Sequence, residues 1–123
     1  MCKCGAVMAL EKLELIKEAF DSEEFRGFEF LSGFRVIGES GVEHEFQFVV
    51  KHGSSLVAVS FIDEVNDVDM LVVLAKKLDT KIPQIIVCRK VNGVSREIAS
   101  ENKVPIVKWG DQGEFRREVM KFL

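Results

Sequence analysis

Residues 33–62 constrain the fold of this chain more than any other part of it. Two short turn sequences, GESG at 38–41 and KHGSS at 51–55, separate three apolar-rich runs in this stretch. The last run, Leu56–Ile62, is almost wholly apolar, which is typical of a strand buried on both faces of a sheet. The pattern therefore predicts a three-stranded β-meander that passes from the edge of a sheet to its centre.

The rest of the chain alternates between helix and strand patterns, as in a βαβαβ unit with parallel strands. Before the meander, Ala9–Phe20 has apolar residues at helical spacing and predicts an amphipathic helix packed by one stripe. The helix predicted at Val68–Leu78 is apolar on most of its surface, so we expect it to be buried between the sheet and other elements. The other predicted elements are strands at Gln84–Cys88 and Pro105–Trp109, a helix at about 95–102, and a C-terminal helix with a stripe of Phe115, Val119 and Phe122. The expected fold class is α/β, with a mixed sheet flanked by helices.

The length and composition fit one globular domain. A chain of 123 residues with 47% hydrophobic and 30% charged residues can bury a single core. We expect residues 1–8 to be a flexible tail and residues 9–123 to form one domain, because no linker divides them. The N-terminus meets charge too soon for a secretory signal, and no apolar run approaches the roughly 20 residues that span a bilayer. The expected location is the cytoplasm, with no membrane contact.

The charge balance points to a protein partner rather than to nucleic acid. The formal net charge is −3 and the isoelectric point about 5.5, whereas nucleic-acid binding normally shows as a basic surplus. The segment Phe25–Phe34 carries more aromatic area than one strand of a small domain needs to bury, so it is a candidate interface for a homodimer or another protein.

Plentiful Glu and Lys, with few Gln and Asn, weakly indicate a heat-adapted source.

The N-terminal cysteines resemble half of a zinc knuckle. Cys2 and Cys4 are followed by a glycine that frees the backbone, but a structural zinc needs four ligands and no second pair exists. Two chains would have to share one zinc ion through these residues. The alternative is a frayed tail with two exposed thiols.

Four stretches of the chain resemble one known superfamily: GFRV at 33–36, residues 38–46, VAVSFI at 57–62 and AKKLD at 75–79. With the element order over roughly Leu10–Trp109, they resemble the core of the restriction-endonuclease-like, or PD-(D/E)XK, superfamily, and most closely its archaeal and Mrr-type members. The resemblance implies a mixed α/β sheet with an acid on the second strand and an acid-x-lysine motif on the third. Phosphodiester hydrolysis uses such acids to hold hard cations that clamp the phosphate and activate water.

The catalytic positions implied by this resemblance carry other residues here. Gln47 stands at the position of the second-strand acid, while Ser60 and Ile62 stand at the acid and lysine positions of the third strand. Without these carboxylates the chain is predicted to be non-catalytic and to need no cofactor. The leading hypothesis is a binding or assembly module that serves nucleic-acid metabolism.

A first alternative is a metal-dependent nuclease whose ligands have moved to neighbouring acids. Magnesium would then be held by Glu39, Glu43 and Asp63. In a simpler interpretation, the acids form a solvated face of the hairpin and His44 is a hydrogen-bonded surface residue. Lys76 then only complements the dipole of its helix. The candidate catalytic residues of this alternative are Glu43, His44, Glu45, Gln47, Ser60 and Lys76.

A second alternative is a small-molecule site in the βαβαβ half. In open α/β sheets, ligands collect beyond the carboxyl ends of the strands. No glycine-rich first turn accompanies this edge, so no phosphate loop of the usual kind is predicted. The residues expected at the edge are Asp63, Glu64, Arg89, Lys90, Trp109, Gly110 and Asp111.

Overall fold

The computed structural model describes residues 27–123, which form one five-stranded mixed sheet flanked by three helices. The predicted α/β class and element order are confirmed over these residues. The predicted helix at Ala9–Phe20 and the tail at 1–8 lie outside them. In chain order the elements are β1 (Phe28–Ile37), β2 (Glu43–His52), β3 (Ser55–Val65), α1 (Asp67–Thr80), β4 (Gln84–Val91), α2 (Gly93–Glu101), β5 (Ile106–Lys108) and α3 (Gln112–Phe122).

The strands lie in the sheet in the order in which they occur in the chain. β1, β2 and β3 pair antiparallel, and β3, β4 and β5 pair parallel. The predicted strand Leu56–Ile62 lies within β3, the middle strand, and Val57, Ala58 and Val59 are completely buried. The meander therefore does pass from the sheet edge to its centre, as the apolar runs predicted.

Two layers of helix cover the sheet on opposite faces. α3 packs through Phe115 and Val119 on one face, against a core that includes Phe48 and Phe61. α1 and α2 pack on the other face, where Met70 meets Ile86. Asn66 and Asn92 cap these two helices at their N-termini, and each side chain accepts a hydrogen bond from a backbone amide of the first turn.

Phe46 and Phe48 are two residues apart on β2, so a regular strand would place them on the same face. Phe48 contributes to the α3 face, but Phe46 packs with Val49 in a third core cluster. The strand pairing explains the change, because the β2–β3 register ends at Phe48 and Val59, and Gly33 of β1 has a positive φ of 63°. The part of the β1–β2 hairpin between Gly33 and Gln47, which includes the turn, is therefore rotated relative to the part that pairs with β3.

The burial predicted for α1 is wrong. Only Met70 and Val73 of this helix are buried, and its outer face is exposed. The apolar composition made the helix look enclosed, but among residues 27–123 only the inner side has neighbours that cover it. No helix in this part of the chain is long and apolar enough to cross a bilayer.

The aromatic segment at the start of β1 does not form one patch in the described residues. Phe28 and Phe30 are half-buried against the α3-side core, while Phe34 packs in the third cluster. Phe25 lies outside the described residues. The rings are separated because β1 changes the face to which it presents its side chains at Gly33.

Candidate functional site

The tip of the β1–β2 hairpin is tied to the C-terminal end of α1 by the carboxylate of Asp79. The backbone N–H of Ser40 donates to Oδ1 at 2.8 Å, and the Ser40 hydroxyl donates to Oδ2 at 2.6 Å. Nε2 of His44 lies 2.6 Å from the same Oδ2. The main chain adds a bond from the Glu39 N–H to the Asp79 carbonyl.

These hydrogen bonds hold the pKa of Asp79 down at about 2, from an ordinary value of 3.8. The Ser40 hydroxyl is the largest cause, followed by His44 and the Ser40 amide, because all three stabilise the charged carboxylate. The arrangement contains a serine, a histidine and an aspartate, but the aspartate lies between the other two. Asp79 therefore holds the hairpin turn in place. It does not make the Ser40 hydroxyl a nucleophile, because that would need a direct hydrogen bond between Ser40 and His44.

The remaining hairpin candidates also have structural partners. Lys76 donates to the Glu45 carbonyl at 2.6 Å and lies over the Phe46 ring at 5.5 Å. His44 is largely buried against Asp79, as a hydrogen-bonded histidine would be. The predicted catalytic roles of His44 and Lys76 gain no support from these contacts, since both side chains hold the hairpin on α1. Of Glu45, only the backbone carbonyl takes part, and its side chain is exposed.

The positions where the resemblance implies catalytic acids are occupied by a structural contact. Oε1 of Gln47 accepts from the Phe61 N–H at 3.0 Å, and Nε2 of Gln47 donates to the Phe61 carbonyl at 3.4 Å. The side-chain amide thus replaces the ladder bonds that β2 and β3 no longer make beyond Phe48 and Val59. Ser60 lies on the same stretch of β3, and Ile62 packs against the core beneath α1.

The predicted magnesium ligands Glu39, Glu43 and Asp63 are not brought together. Glu39 lies in the hairpin turn, Glu43 begins β2 opposite Ile37, and Asp63 lies near the end of β3. Within residues 27–123, no group of three or more His, Cys, Asp and Glu side chains is placed to hold a metal ion. The reason is the separation of β2 and β3 past Val59. The zinc candidates Cys2 and Cys4 lie outside the described residues.

A larger opening lies at the carboxyl ends of the parallel strands, at the edge where a small-molecule site was predicted. We call it the carboxyl-edge cleft; its volume is about 800 Å³, within the range of ligand sites. The ends of β3, β4 and β5 form its floor, and the start of α2 and the first turn of α3 form its walls. Its lining residues are Glu64, Val65, Asn66, Cys88, Arg89, Lys90, Val91, Asn92, Arg96, Ile106, Lys108 and Glu114.

Positive charge dominates this cleft although the whole chain is acidic. Four cations line it against two acids, Glu64 and Glu114, so its formal charge is +2 where the chain carries −3. The N-terminus of α2 also lies at this cleft, where Asn92 caps the Ser95 amide and the Asp67 carboxylate accepts a hydrogen bond from the Ser95 hydroxyl. The four cations are Arg89, Lys90, Arg96 and Lys108.

Within residues 27–123, the contacts of Arg89 are weak. Arg89 lies 3.6 Å from Asp63, but both side chains are well exposed, so the pair contributes little. Its guanidinium also lies 5.1 Å from the centre of the Trp109 ring. Burial raises the pKa of the Cys88 thiol, and the charge of Arg96 acts in the opposite direction. Cys88 is therefore a neutral wall residue rather than a reactive thiolate.

The predicted edge residues divide between two places. Glu64, Arg89 and Lys90 do line the cleft. Trp109, Gly110 and Asp111 instead line a much smaller cavity under α3, on the other face of the sheet. Sequence reasoning missed Arg96 and Lys108, although the signal was available: Arg96 lies in the first turns of α2, and Lys108 ends the strand next to β4.

No protein-family model matches the chain, and no curated protein matches it in sequence. The chain is similar in structure to AF1548, a protein of unknown function whose crystal structure has been solved, with a TM-score of 0.63 and 16% sequence identity. The match covers 85% of this chain and 58% of AF1548, so the chain spans little more than half the length of that protein. At this identity the likeness concerns the fold alone.

Proposed function

We propose that this chain is a non-catalytic domain of the restriction-endonuclease-like kind that binds a phosphate-bearing ligand in the carboxyl-edge cleft. The observation that carries the proposal is the reversal of charge: an acidic chain gathers four cations around one opening of about 800 Å³. The four side chains are exposed, so water and salt screen their mutual repulsion, but together they give the cleft a local positive potential that favours an anion.

Phosphate suits this cleft for two physical reasons. Arg89 and Arg96 present planar guanidinium groups that bind two oxygens at once, and Lys90 and Lys108 add point charges. The N-terminus of α2 lies on the same side and adds a partial positive charge, part of which the Asp67 carboxylate beside Ser95 offsets. A nucleic-acid strand is the source that fits the fold resemblance, and a free mononucleotide shares the same phosphate chemistry.

Binding without cleavage follows from the positions of the acids. Gln47 fills the position at which the resemblance implies a metal-binding acid, and its amide is hydrogen-bonded to Phe61. Asp79 is occupied by Ser40 and His44. Magnesium needs oxygen ligands that converge on one point, and the nuclease alternative gains none from the described residues.

The test compares two double variants that remove the same charge. Arg96→Ala with Lys108→Ala removes two cleft cations, and Arg35→Ala with Lys51→Ala removes two cations from the β1–β2 hairpin. Binding of a fluorescent single-stranded oligonucleotide is measured by anisotropy at two salt concentrations, with a mononucleotide and inorganic phosphate as competitors. The cleft variant should bind the oligonucleotide at least about tenfold more weakly. Its affinity should also depend less on salt concentration, because fewer phosphate contacts release fewer counterions on binding.

The competitors and the cleavage control make the outcomes distinct. Stronger competition by the mononucleotide than by unlabelled oligonucleotide would identify a small-molecule site with the same phosphate chemistry. Equal weakening by both double variants would show that only overall charge matters and would overturn the proposal. The oligonucleotide should remain intact in magnesium and in manganese, and cleavage that is lost in Glu43→Ala or Asp63→Ala would establish the nuclease alternative instead.

A further inference from the structure

Arg89, one of the four cations of the carboxyl-edge cleft, rests on an aromatic ring. The central carbon of its guanidinium lies over the Trp109 ring, 5.1 Å from the ring centre. Alternation along β4 puts Arg89 on the same side of the sheet as Val87, which belongs to the α3-side core, whereas Cys88 faces the other side. Arg89 therefore lies at the lip where the cleft meets the α3 face of the sheet.

Trp109 is held in place by its neighbours on the sheet. Its backbone N–H donates to the Cys88 carbonyl at 2.9 Å. Its half-buried ring meets the Phe61 ring edge to face, with the ring centres 5.4 Å apart and the planes at 76°. The position of the indole is thus set by β3 and β4, so a ligand does not have to order this ring when it binds.

The Arg89 side chain remains open to a ligand. It is 63% exposed, and its ion pair with the exposed Asp63 is weak. A guanidinium offers two kinds of surface: its N–H groups lie in the plane and bind phosphate oxygens, and its flat faces stack on aromatic rings and on nucleobases. With the indole on one side, the other side of this guanidinium is available to a second flat ring.

We propose that Arg89, supported by Trp109, stacks against a nucleobase of the ligand whose phosphates bind in the carboxyl-edge cleft. The inference rests on the proposed function, because the stacked base belongs to the same phosphate-bearing ligand. Arg89 then distinguishes nucleotides and single strands from phosphate compounds that carry no base. The contact is tolerant of sequence, since every base has a flat face.

The test compares two labelled oligomers with the same number of phosphates: an oligothymidylate and an abasic oligomer of equal length. Fluorescence anisotropy should show that the parent protein binds the oligothymidylate at least about fivefold more tightly, the effect of stacking one base. Arg89→Lys keeps the charge but removes the flat group, so the ratio of the two affinities should fall to about one. Circular dichroism verifies that the variant remains folded.

Arg96→Lys is the matched control, because it makes the same change at the other arginine of the cleft. It should weaken the binding of both oligomers alike and leave their ratio as it is in the parent. Trp109 is the single tryptophan of the chain, so protein fluorescence provides a second readout at this place. Saturation with the oligothymidylate should change the tryptophan emission, and saturation with the abasic oligomer should leave it nearly unchanged.

The failure of this inference differs from the failure of the proposed function. Equal affinity of the parent protein for the two oligomers would overturn the base contact and leave phosphate binding in the cleft intact. A preference for the oligothymidylate that survives Arg89→Lys would place the base at another residue and would also overturn it. If neither oligomer binds, the proposed function fails, and the base contact fails with it.

Discussion

At the scale of single residues, Asp79 links parts of the chain that are distant in sequence. Its carboxylate receives hydrogen bonds from Ser40 and from His44, and its pKa falls to about 2 as a result. The sequence predicted His44 as a hydrogen-bonded surface histidine; the structure contains the hydrogen bond, but the side chain is largely buried against Asp79. The sequence could not identify Asp79 as the partner, because the pairing depends on how far the hairpin bends toward α1.

Replacing Asp79 by asparagine should reduce stability at neutral pH, and the loss should shrink in acid. The folded protein keeps this carboxylate ionised down to pH about 2, whereas the unfolded chain protonates it near 3.8. The stabilisation is therefore complete above pH 4 and is lost as the pH falls through the folded pKa. Urea unfolding at several pH values should show the parent and Asp79→Asn converging between pH 4 and pH 2.

The control for this prediction is Asp63→Asn. The Asp63 carboxylate is exposed and meets Arg89 only at 3.6 Å, so this variant should stay close to the parent at neutral pH. A constant difference between the parent and Asp79→Asn down to pH 2 would show that geometry, and not the charge of Asp79, stabilises the hairpin tip.

At the scale of elements, the periodic patterns predicted which segments are strands and which are helices. Alternation and apolar runs report the local environment of a strand, so the meander and β3 could be read directly. The bend of the hairpin at Gly33 and Gln47 could not be predicted from these patterns. It depends on the Gln47 side-chain amide, which replaces a missing hydrogen bond between β2 and β3. The exposure of α1 was missed for a different reason, since an apolar pattern does not say what covers each face.

The docking of the hairpin on α1 can be tested at Gly38. A methyl group at this position would lie 2.0 Å from Oδ2 of Asp79, so Gly38→Ala requires the turn or the carboxylate to move. We expect a destabilisation of about 1–3 kcal/mol, the usual cost of overpacking. Hydrogen exchange should also speed up at the Ser40 amide, which donates to Asp79.

Gly93→Ala is the matched control, because nothing lies within 4 Å of a methyl group there. This change should be neutral or slightly stabilising, since alanine restricts the unfolded chain. If Gly38→Ala proves equally neutral and the Ser40 amide stays protected, then the contact between the turn and Asp79 is looser than its distances indicate.

At the scale of the whole molecule, net charge and local charge differ in sign. The chain carries −3, which led the sequence reading away from nucleic acid, yet the carboxyl-edge cleft carries +2. Parallel strands explain the difference, because they bring residues far apart in sequence to one edge of the sheet. The edge itself was predictable from the element order. That Arg96 and Lys108 line the cleft at this edge became apparent only from the positions of the helix and strand ends.

The most direct test of binding without catalysis is an NMR titration of the ¹⁵N-labelled protein with the single-stranded oligonucleotide in magnesium. The largest amide shifts should fall on residues 88–92, on Arg96 and on Lys108, which surround the carboxyl-edge cleft. Amides at Ser40, His44 and Gln47 should be unaffected, and the oligonucleotide should be recovered intact. Shifts centred on Gln47 and Phe61, or the absence of saturable shifts at the cleft, would contradict this account.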